Sequence, residues 1–226
     1  MMRKLAGSLI PLLLLALLSG CAGPLAFIPI TPLLSSALAS RGEDSKSAQA
    51  ITEMQKNGDW AGLAKFAQDR LLRDPSNANY WVMLGYALVQ QSRFPDAIQA
   101  LTRAVTINPE DIDGWNLLAD AQRRGGQPGA SSRTLQRAAA VDPTSAVTYY
   151  LMGEAFRDNG EPDRAEVAFR DALKIAPNLA LAWFSLGELL LRAGSAGDLE
   201  VIAENLTQFD PQLAKEFAQL RARNKR

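Results

Sequence analysis

The sequence predicts an all-α fold, an open stack of antiparallel helix hairpins, and three observations carry that prediction. Five prolines, Pro75, Pro109, Pro143, Pro177 and Pro211, each stand 34 residues after the last, a period that marks stacked helical repeats. Aligning the blocks 78–111, 112–145, 146–179 and 180–213 brings Trp81, Trp115, Tyr149 and Trp183 to position 4, with Leu84, Leu118, Met152 and Leu186 at position 7. Position 8 then holds only Gly85, Ala119, Gly153 and Gly187, and position 15 holds Gly58, Gly126, Gly160 and Gly194, with Ser92 the one departure.

Each column has a physical reason. Large residues at positions 4, 7 and 11 recur at helical spacing and form one apolar stripe, which an isolated hairpin cannot bury and a stack can. The small residue at position 8 lets the paired helix come close, and Ala97, Ala104, Ala138, Ala165 and Ala172 supply the matching small surface. A position-15 glycine takes positive φ and ends the first helix. The repeat-ending proline removes a donor and forces the second helix to stop.

Taken in order, block 44–77 shares Pro75 and a turn at Gly58 but has Ser47 where the aromatic belongs, so it is a degenerate repeat or a plain helical hairpin. Trp60 is assigned to its turn, outside the aromatic column. Block 78–111 is complete, with Leu88, Ala97, Leu101 and Ala104. Block 112–145 carries Ser131, Leu135 and Ala138 and departs at Gln122; block 146–179 carries Phe156, Ala165, Phe169 and Ala172. Block 180–213 keeps Trp183, Leu186, Gly187 and Leu190 and drifts at Leu199, Ala203 and Leu206, as terminal repeats do. Residues 211–226 form a last helix with Leu213, Phe217 and Leu220 on one face, the polar cap that a solenoid needs. Its basic end, Arg221, Arg223, Lys225 and Arg226, reads as a solvated terminus or as a site for anionic lipid or cell-wall polymer. The position-4 aromatics are expected to be the buried knobs between repeats.

With these residues in place, the chain over about 44–213 resembles the tetratricopeptide repeat (TPR) family, whose repeat sets Trp, Leu, Gly and Tyr on a first helix, Ala, Phe and Ala on a second, and Pro at the end. The resemblance implies a right-handed superhelix of helix hairpins whose first helices line a concave groove, with positions 2, 5, 9 and 12 facing a bound protein or peptide segment. Position 2 opens with Asn79. Position 5 reads Val82, Asn116, Tyr150 and Phe184, position 9 reads Tyr86, Asp120, Glu154 and Glu188, and position 12 reads Val89, Arg123, Arg157 and Leu191. Tyr86, Tyr150 and Phe184 are the expected apolar anchors, and Asn116 the group to hold a peptide backbone. Asp120 with Arg123 and Glu154 with Arg157 stand at i,i+3, so these charges either pair with each other or face a partner. The lysine and asparagine set with which the family's chaperone-binding members hold a terminal carboxylate is not present.

The other end carries a second signal. Met1-Met2-Arg3-Lys4 is a short positive start, and Leu5–Leu18 is apolar apart from small or turn-forming residues, the pattern of a secretory signal over 1–20. Leu18-Ser19-Gly20-Cys21 resembles the lipobox of bacterial lipoproteins, which implies cleavage behind Gly20 and a covalent lipid on Cys21, the chain's only cysteine. The apolar run is short for a spanning helix, which needs about 20 residues. Ala22 rather than Asp after the cysteine favours, by the same resemblance, the outer membrane's periplasmic face. Residues 21–43 then form a lipidated, proline-punctuated tether, Ala22-Gly23-Pro24-Leu25-Ala26-Phe27-Ile28-Pro29-Ile30 being apolar where a solvated linker would be polar. The tether either lies against the first repeat or the membrane surface, or serves as a docking peptide for a partner.

Composition excludes other classes. The chain has 24 basic and 24 acidic residues, so it lacks the strong positive field expected for nucleic acid. It has no histidine, which removes histidine triads and the common zinc sites, and no phosphate-binding glycine motif. The expectation is therefore a non-enzymatic, lipid-anchored scaffold without cofactor or small-molecule substrate. Its expected role is to bind protein partners in assembly of an envelope machine such as a pilus, including the tight-adherence type, or a secretion system. Recruitment or regulation of a peptidoglycan enzyme, or a part in polysaccharide export, are the alternatives.

Overall fold

The computed structural model describes residues 45–195 and 197–224; the signal segment, Cys21, the tether 22–43, Lys225 and Arg226 lie outside the described residues. The 34-residue ruler sets the helix ends. Position-15 turns and repeat-ending prolines alternate along the chain, and between them stand eleven helices among the described residues: α1 Ser45–Lys56, α2 Trp60–Leu71, α3 Ala78–Gln90, α4 Phe94–Ile107, α5 Ile112–Arg124, α6 Pro128–Val141, α7 Ala146–Asp158, α8 Pro162–Ile175, α9 Ala180–Arg192, α10 Leu199–Phe209 and α11 Pro211–Asn224. Among the described residues there are no strands.

The turn column behaves as its composition requires. Gly58, Gly126, Gly160 and Gly194 have φ of 68°, 79°, 76° and 68°, and Ser92, the one departure in sequence, adopts the same left-handed conformation at 58°. The residue after the turn donates back across it, Glu161 N to the Phe156 carbonyl at 2.9 Å and Arg93 N to Leu88 at 2.9 Å, so carbonyls at the end of the first helix are satisfied. Pro95, Pro128 and Pro162 sit in the first turn of α4, α6 and α8, where a missing N–H costs nothing.

Close approach within each hairpin sets the layer spacing. A methyl group added at Gly85 would run into Leu101, and one at Gly153 would stand 2.5 Å from two ring carbons of Phe169. Ala119 and Leu135 occupy the corresponding places in the repeat between and are fully buried. In the last repeat position 24 is Ala203, and Gly187 instead meets Phe217 from α11, with Ile202 beside it. The capping helix thus supplies the large side chain that its repeat lacks. The core continues from hairpin to hairpin as one buried cluster through α1–α5 and a second through α5–α11.

Two expectations about the tryptophans need correction. The position-4 aromatics are half-buried rather than core knobs. Their indoles tie the first turn of each helix to the proline turn before it, Trp81, Trp115 and Trp183 donating to the carbonyls of Pro75, Pro109 and Pro177 at 2.8–2.9 Å. Tyr149 has no indole N–H with which to do the same. Trp60, for its part, is not in a turn. It opens α2 behind the Asp59 cap, packs edge-on against Tyr86 with ring centroids 5.6 Å apart, and its carbonyl accepts from Gln91 Nε2 at 3.0 Å. It therefore links the first hairpin to α3.

The stability ranking follows from this burial. Phe169→Ala should cost about 3–5 kcal/mol and Trp115→Ala distinctly less, because truncating a fully buried ring leaves a cavity. Gly153→Ala should cost about 1–3 kcal/mol by overpacking against Phe169. Urea unfolding midpoints of the three variants check the order; Trp115→Ala matching or exceeding Phe169→Ala would contradict it.

Candidate partner-binding groove

The helices that open the repeats, α3, α5, α7 and α9, carry the candidate groove residues, and the local fold decides how far each reaches outward. At position 5, Val82, Asn116 and Tyr150 are buried. Tyr150 packs on Phe169 with centroids 6.1 Å apart, and Asn116 Oδ1 accepts from the Thr148 hydroxyl at 3.0 Å in a buried contact between α5 and α7. Tyr86, at position 9, is 1% exposed. Tyr86, Tyr150, Asn116 and Val82 therefore pack inside the stack, Tyr86 against Trp60 of α2, Tyr150 against Phe169 of α8 and Asn116 against Thr148 of α7. The expectation that they face a partner is corrected accordingly. Asn79 and Phe184 remain half-buried at opposite ends of the groove, with Phe184 edge-on to Phe217 at 6.3 Å.

Charge occupies the middle of the face. Arg123 on α5 pairs with Asp120 at 3.1 Å on its own helix, and reaches Asp158 at 2.9 Å and Glu154 at 4.0 Å on α7. Arg157 pairs with Glu154 at 2.7 Å and Asp158 at 3.6 Å, and crosses to Glu188 on α9 at 3.5 Å. Arg124 adds a bond to Asp120 at 3.5 Å. Of the two readings of these charges, self-pairing is what the geometry shows, and it extends further than i,i+3. A position-12 arginine bridges to the position-9 acid of the next repeat, 31 residues on, so the ladder binds three repeats together.

The ladder mixes buried and accessible members. Glu154 is 2% exposed, and no described group hydrogen-bonds its Oε1 or the Nε of Arg123. Burial pushes the Glu154 carboxyl above the ordinary range against the pull of Arg157 and Arg123. Burial likewise pushes the Tyr150 hydroxyl up, with the Glu154 charge adding to it. For Arg123, burial alone would lower the pKa, but Asp120, Asp158 and Glu154 outweigh it and hold the guanidinium charged. Asp158, Glu188 and Asp120 are the accessible carboxylates, their side chains 35%, 23% and 21% exposed. Sequence reasoning did not select Asp158; its place four residues after Glu154, beside the next arginine, was the available signal.

Comparison with known proteins agrees with this architecture. Three tetratricopeptide repeat family models match residues 61–112, 88–154 and 146–189, together spanning 61–189, more than half of the chain. No curated protein sequence matches. Among solved structures, MamA aligns at 24% identity over 76% of this chain and 96% of its own, with a TM-score of 0.58. TTC0263, a thermophilic TPR protein of Thermus thermophilus, aligns at 18% identity over 76% and 95%, with a TM-score of 0.63. YrrB, a TPR protein with an unusual peptide-binding site, aligns at 17% identity over 84% and 99%, with a TM-score of 0.56. The fold and the repeat pattern define an α-solenoid scaffold of the class that binds protein partners. The chain belongs to the tetratricopeptide repeat family.

The buried carboxylate has a pH signature. An acid whose folded pKa is raised keeps its proton longer in the folded state, so the folded state binds more protons than the unfolded one once pH exceeds the ordinary value of 4.5. Stability contributed by Glu154 then falls as pH rises from 4.5 towards its raised folded value, and levels off above it. Relative to Glu154→Gln, wild type should lose stability across that window. Paired urea titrations at pH 4.5 and 7.5 measure it, and a difference between the two proteins that does not change with pH would refute it.

Proposed function

We propose that this chain is a lipid-anchored TPR scaffold that binds protein partners in assembly of a cell-envelope machine, a pilus or secretion system, from the periplasmic face of the outer membrane. The observation that carries the partner-binding half is the polar ladder across α5, α7 and α9. Four carboxylates, Asp120, Glu154, Asp158 and Glu188, stand there against three guanidiniums, Arg123, Arg124 and Arg157, with all but Glu154 partly accessible. Such a face suits a segment carrying basic side chains, which can compete for those carboxylates. Accessible charges of this kind govern association rate and partner choice more than raw affinity.

The anchoring half rests on Leu18-Ser19-Gly20-Cys21 behind a charged, apolar leader. Each buried methylene contributes about 0.8 kcal/mol, so several acyl chains on Cys21 would hold the scaffold firmly where one short chain would not. Among the described residues no helix is long and apolar enough to cross a membrane, and no acidic or cysteine cluster could hold a metal ion.

Two measurements test the two halves separately. Cys21→Ser should leave an unprocessed or mislocalised chain; unchanged size and membrane fractionation would overturn the lipid anchor. Asp158→Lys with Glu188→Lys should keep the helical circular dichroism of wild type and weaken co-purification of the envelope partner by about tenfold or more, a loss of about 1.4 kcal/mol. Retention of the partner at wild-type level by a folded double variant would remove the ladder from the binding site.

A further inference from the structure

Two large apolar side chains stand in water where the repeat elsewhere puts polar or small ones. Position 22 reads Lys65, Gln99, Arg133, Val167 and Val201, and position 29 reads Leu72, Thr106, Ala140, Lys174 and Gln208. Val167 is 60% exposed, and Leu72, at 85%, is the most exposed large apolar residue among those described. The two departures lie at different ends of the stack, Leu72 behind α2 and Val167 on α8.

Val167 borders a pocket. Tyr149, Met152 and Phe156 of α7 form its floor, and Val167 and Ala168 of α8 form its wall. At 100° per residue, positions 4, 7 and 11 of α7 point away from positions 5, 9 and 12, so the pocket lies on the opposite side of this helix from the charged ladder. Its volume is about 310 Å³, some ten times the roughly 30 Å³ share of one water molecule and room for an aliphatic side chain. The charges around it are mostly spoken for. Arg164 lies over the Phe156 ring at 3.9 Å and is paired with Glu161, and Asp171 is paired with Lys174 at 2.8 Å. Asp163, also lining the pocket, is exposed and has no ion-pair partner among the described residues. The pocket therefore suits an apolar side chain with a cation beside it.

Leu72 and Arg73 offer that combination. Leu72 caps α2 in helical geometry, φ −63° and ψ −27°, and its N–H donates to the Gln68 carbonyl at 3.0 Å, so the side chain is presented on an ordered turn rather than a free loop. Arg73 beside it is exposed and has no ion-pair partner among the described residues. The knob is out of reach of its own pocket, because α2 contacts only α1 and α3, and α3–α6 stand between it and α7. We propose that copies of this chain associate head to tail, Leu72 of one copy entering the α7–α8 pocket of the next with Arg73 against Asp163. A knob and a pocket at different places on each copy make a heterologous contact, which continues from copy to copy instead of closing as a pair. The Arg73–Asp163 match serves orientation and partner choice more than affinity. The contact uses neither the ladder nor Cys21.

Sedimentation of the full chain in detergent tests it, at concentrations up to about 1 mM because a contact built on one knob is at the small end of interface sizes. Wild type should form larger species as concentration rises. Leu72→Asp and Val167→Asp, both at exposed positions and checked for wild-type circular dichroism, should each weaken association at least tenfold. Mixed together, the one variant keeps its pocket and the other its knob, so they should form pairs and stop there. Wild type that stays single, either variant associating like wild type, or a mixture that does not pair overturns the proposal. Independently, Val167 replaced by p-benzoylphenylalanine, with light and heavy isotope-labelled copies mixed, should crosslink to Leu71–Asp74 of a differently labelled copy. Crosslinks within one copy, to lipid or to any other segment, or none at all, would be equally fatal. Because no ladder charge and no part of the lipid motif is altered, failure here is distinguishable from failure of the anchor or of the charged ladder.

Discussion

Close contact between the two helices of each hairpin is the constraint on which the rest depends. Gly85 against Leu101, Ala119 with Leu135, and Gly153 against the Phe169 ring bring paired helices together at one repeated depth. Once that depth is fixed, every hairpin presents a similar apolar flank to the next, and stacking is a repeated solution to one burial problem. The groove is a by-product of the same contact: with second helices drawn tightly behind the first, the first helices alone line the concave side.

Charge on that side plays a different part from apolar packing. A buried ion pair recovers little net stability over a well-packed apolar pair, because desolvation consumes much of the Coulombic attraction. Glu154 and Arg123, each with a polar atom lacking a protein hydrogen bond, illustrate the cost. What the ladder provides is register. A position-12 arginine reaching the position-9 acid of the next repeat is satisfied at one relative rotation of neighbouring hairpins, which fixes the curvature of this face. Asp158 and Glu188 take part in this pairing while staying partly accessible, their side chains 35% and 23% exposed.

The period made the fold legible. Pro109, Pro143 and Pro177 follow the ends of α4, α6 and α8, and the position-15 glycines turn where the spacing says they should. Ser92 shows why the column mattered more than the residue type, since its own hairpin turn holds it in the same left-handed conformation as the glycines. Side-chain reach was harder to read. Trp81 and Trp115 resemble core knobs by size, yet their indole N–H groups hold them near the surface, facing a proline carbonyl. Tyr86 and Tyr150 resemble ligand anchors by position, yet both are buried, against Trp60 of α2 and Phe169 of α8. Both errors have one origin: a repeat position specifies direction from the helix axis, while burial depends on how far the neighbouring helix stands in that direction.

The exchange of Ala203 for Phe217 opposite Gly187 has a consequence for how such a chain can grow. Inside the stack, each junction is a copy of the one before, so a further 34-residue unit inserted between two repeats would bring its own glycine, its own large partner and its own proline turn. Beyond α10 the situation is different. The socket at Gly187 is filled by a side chain from α11, Asn224 Nδ2 donates to the Leu191 carbonyl at 2.8 Å, and Arg221 is ion-paired to Glu200. A unit appended there would have to evict a helix that is bonded to both layers. The array is therefore extensible in its interior and sealed at this end, and lengthening the groove by duplication would leave the seal and its chemistry untouched.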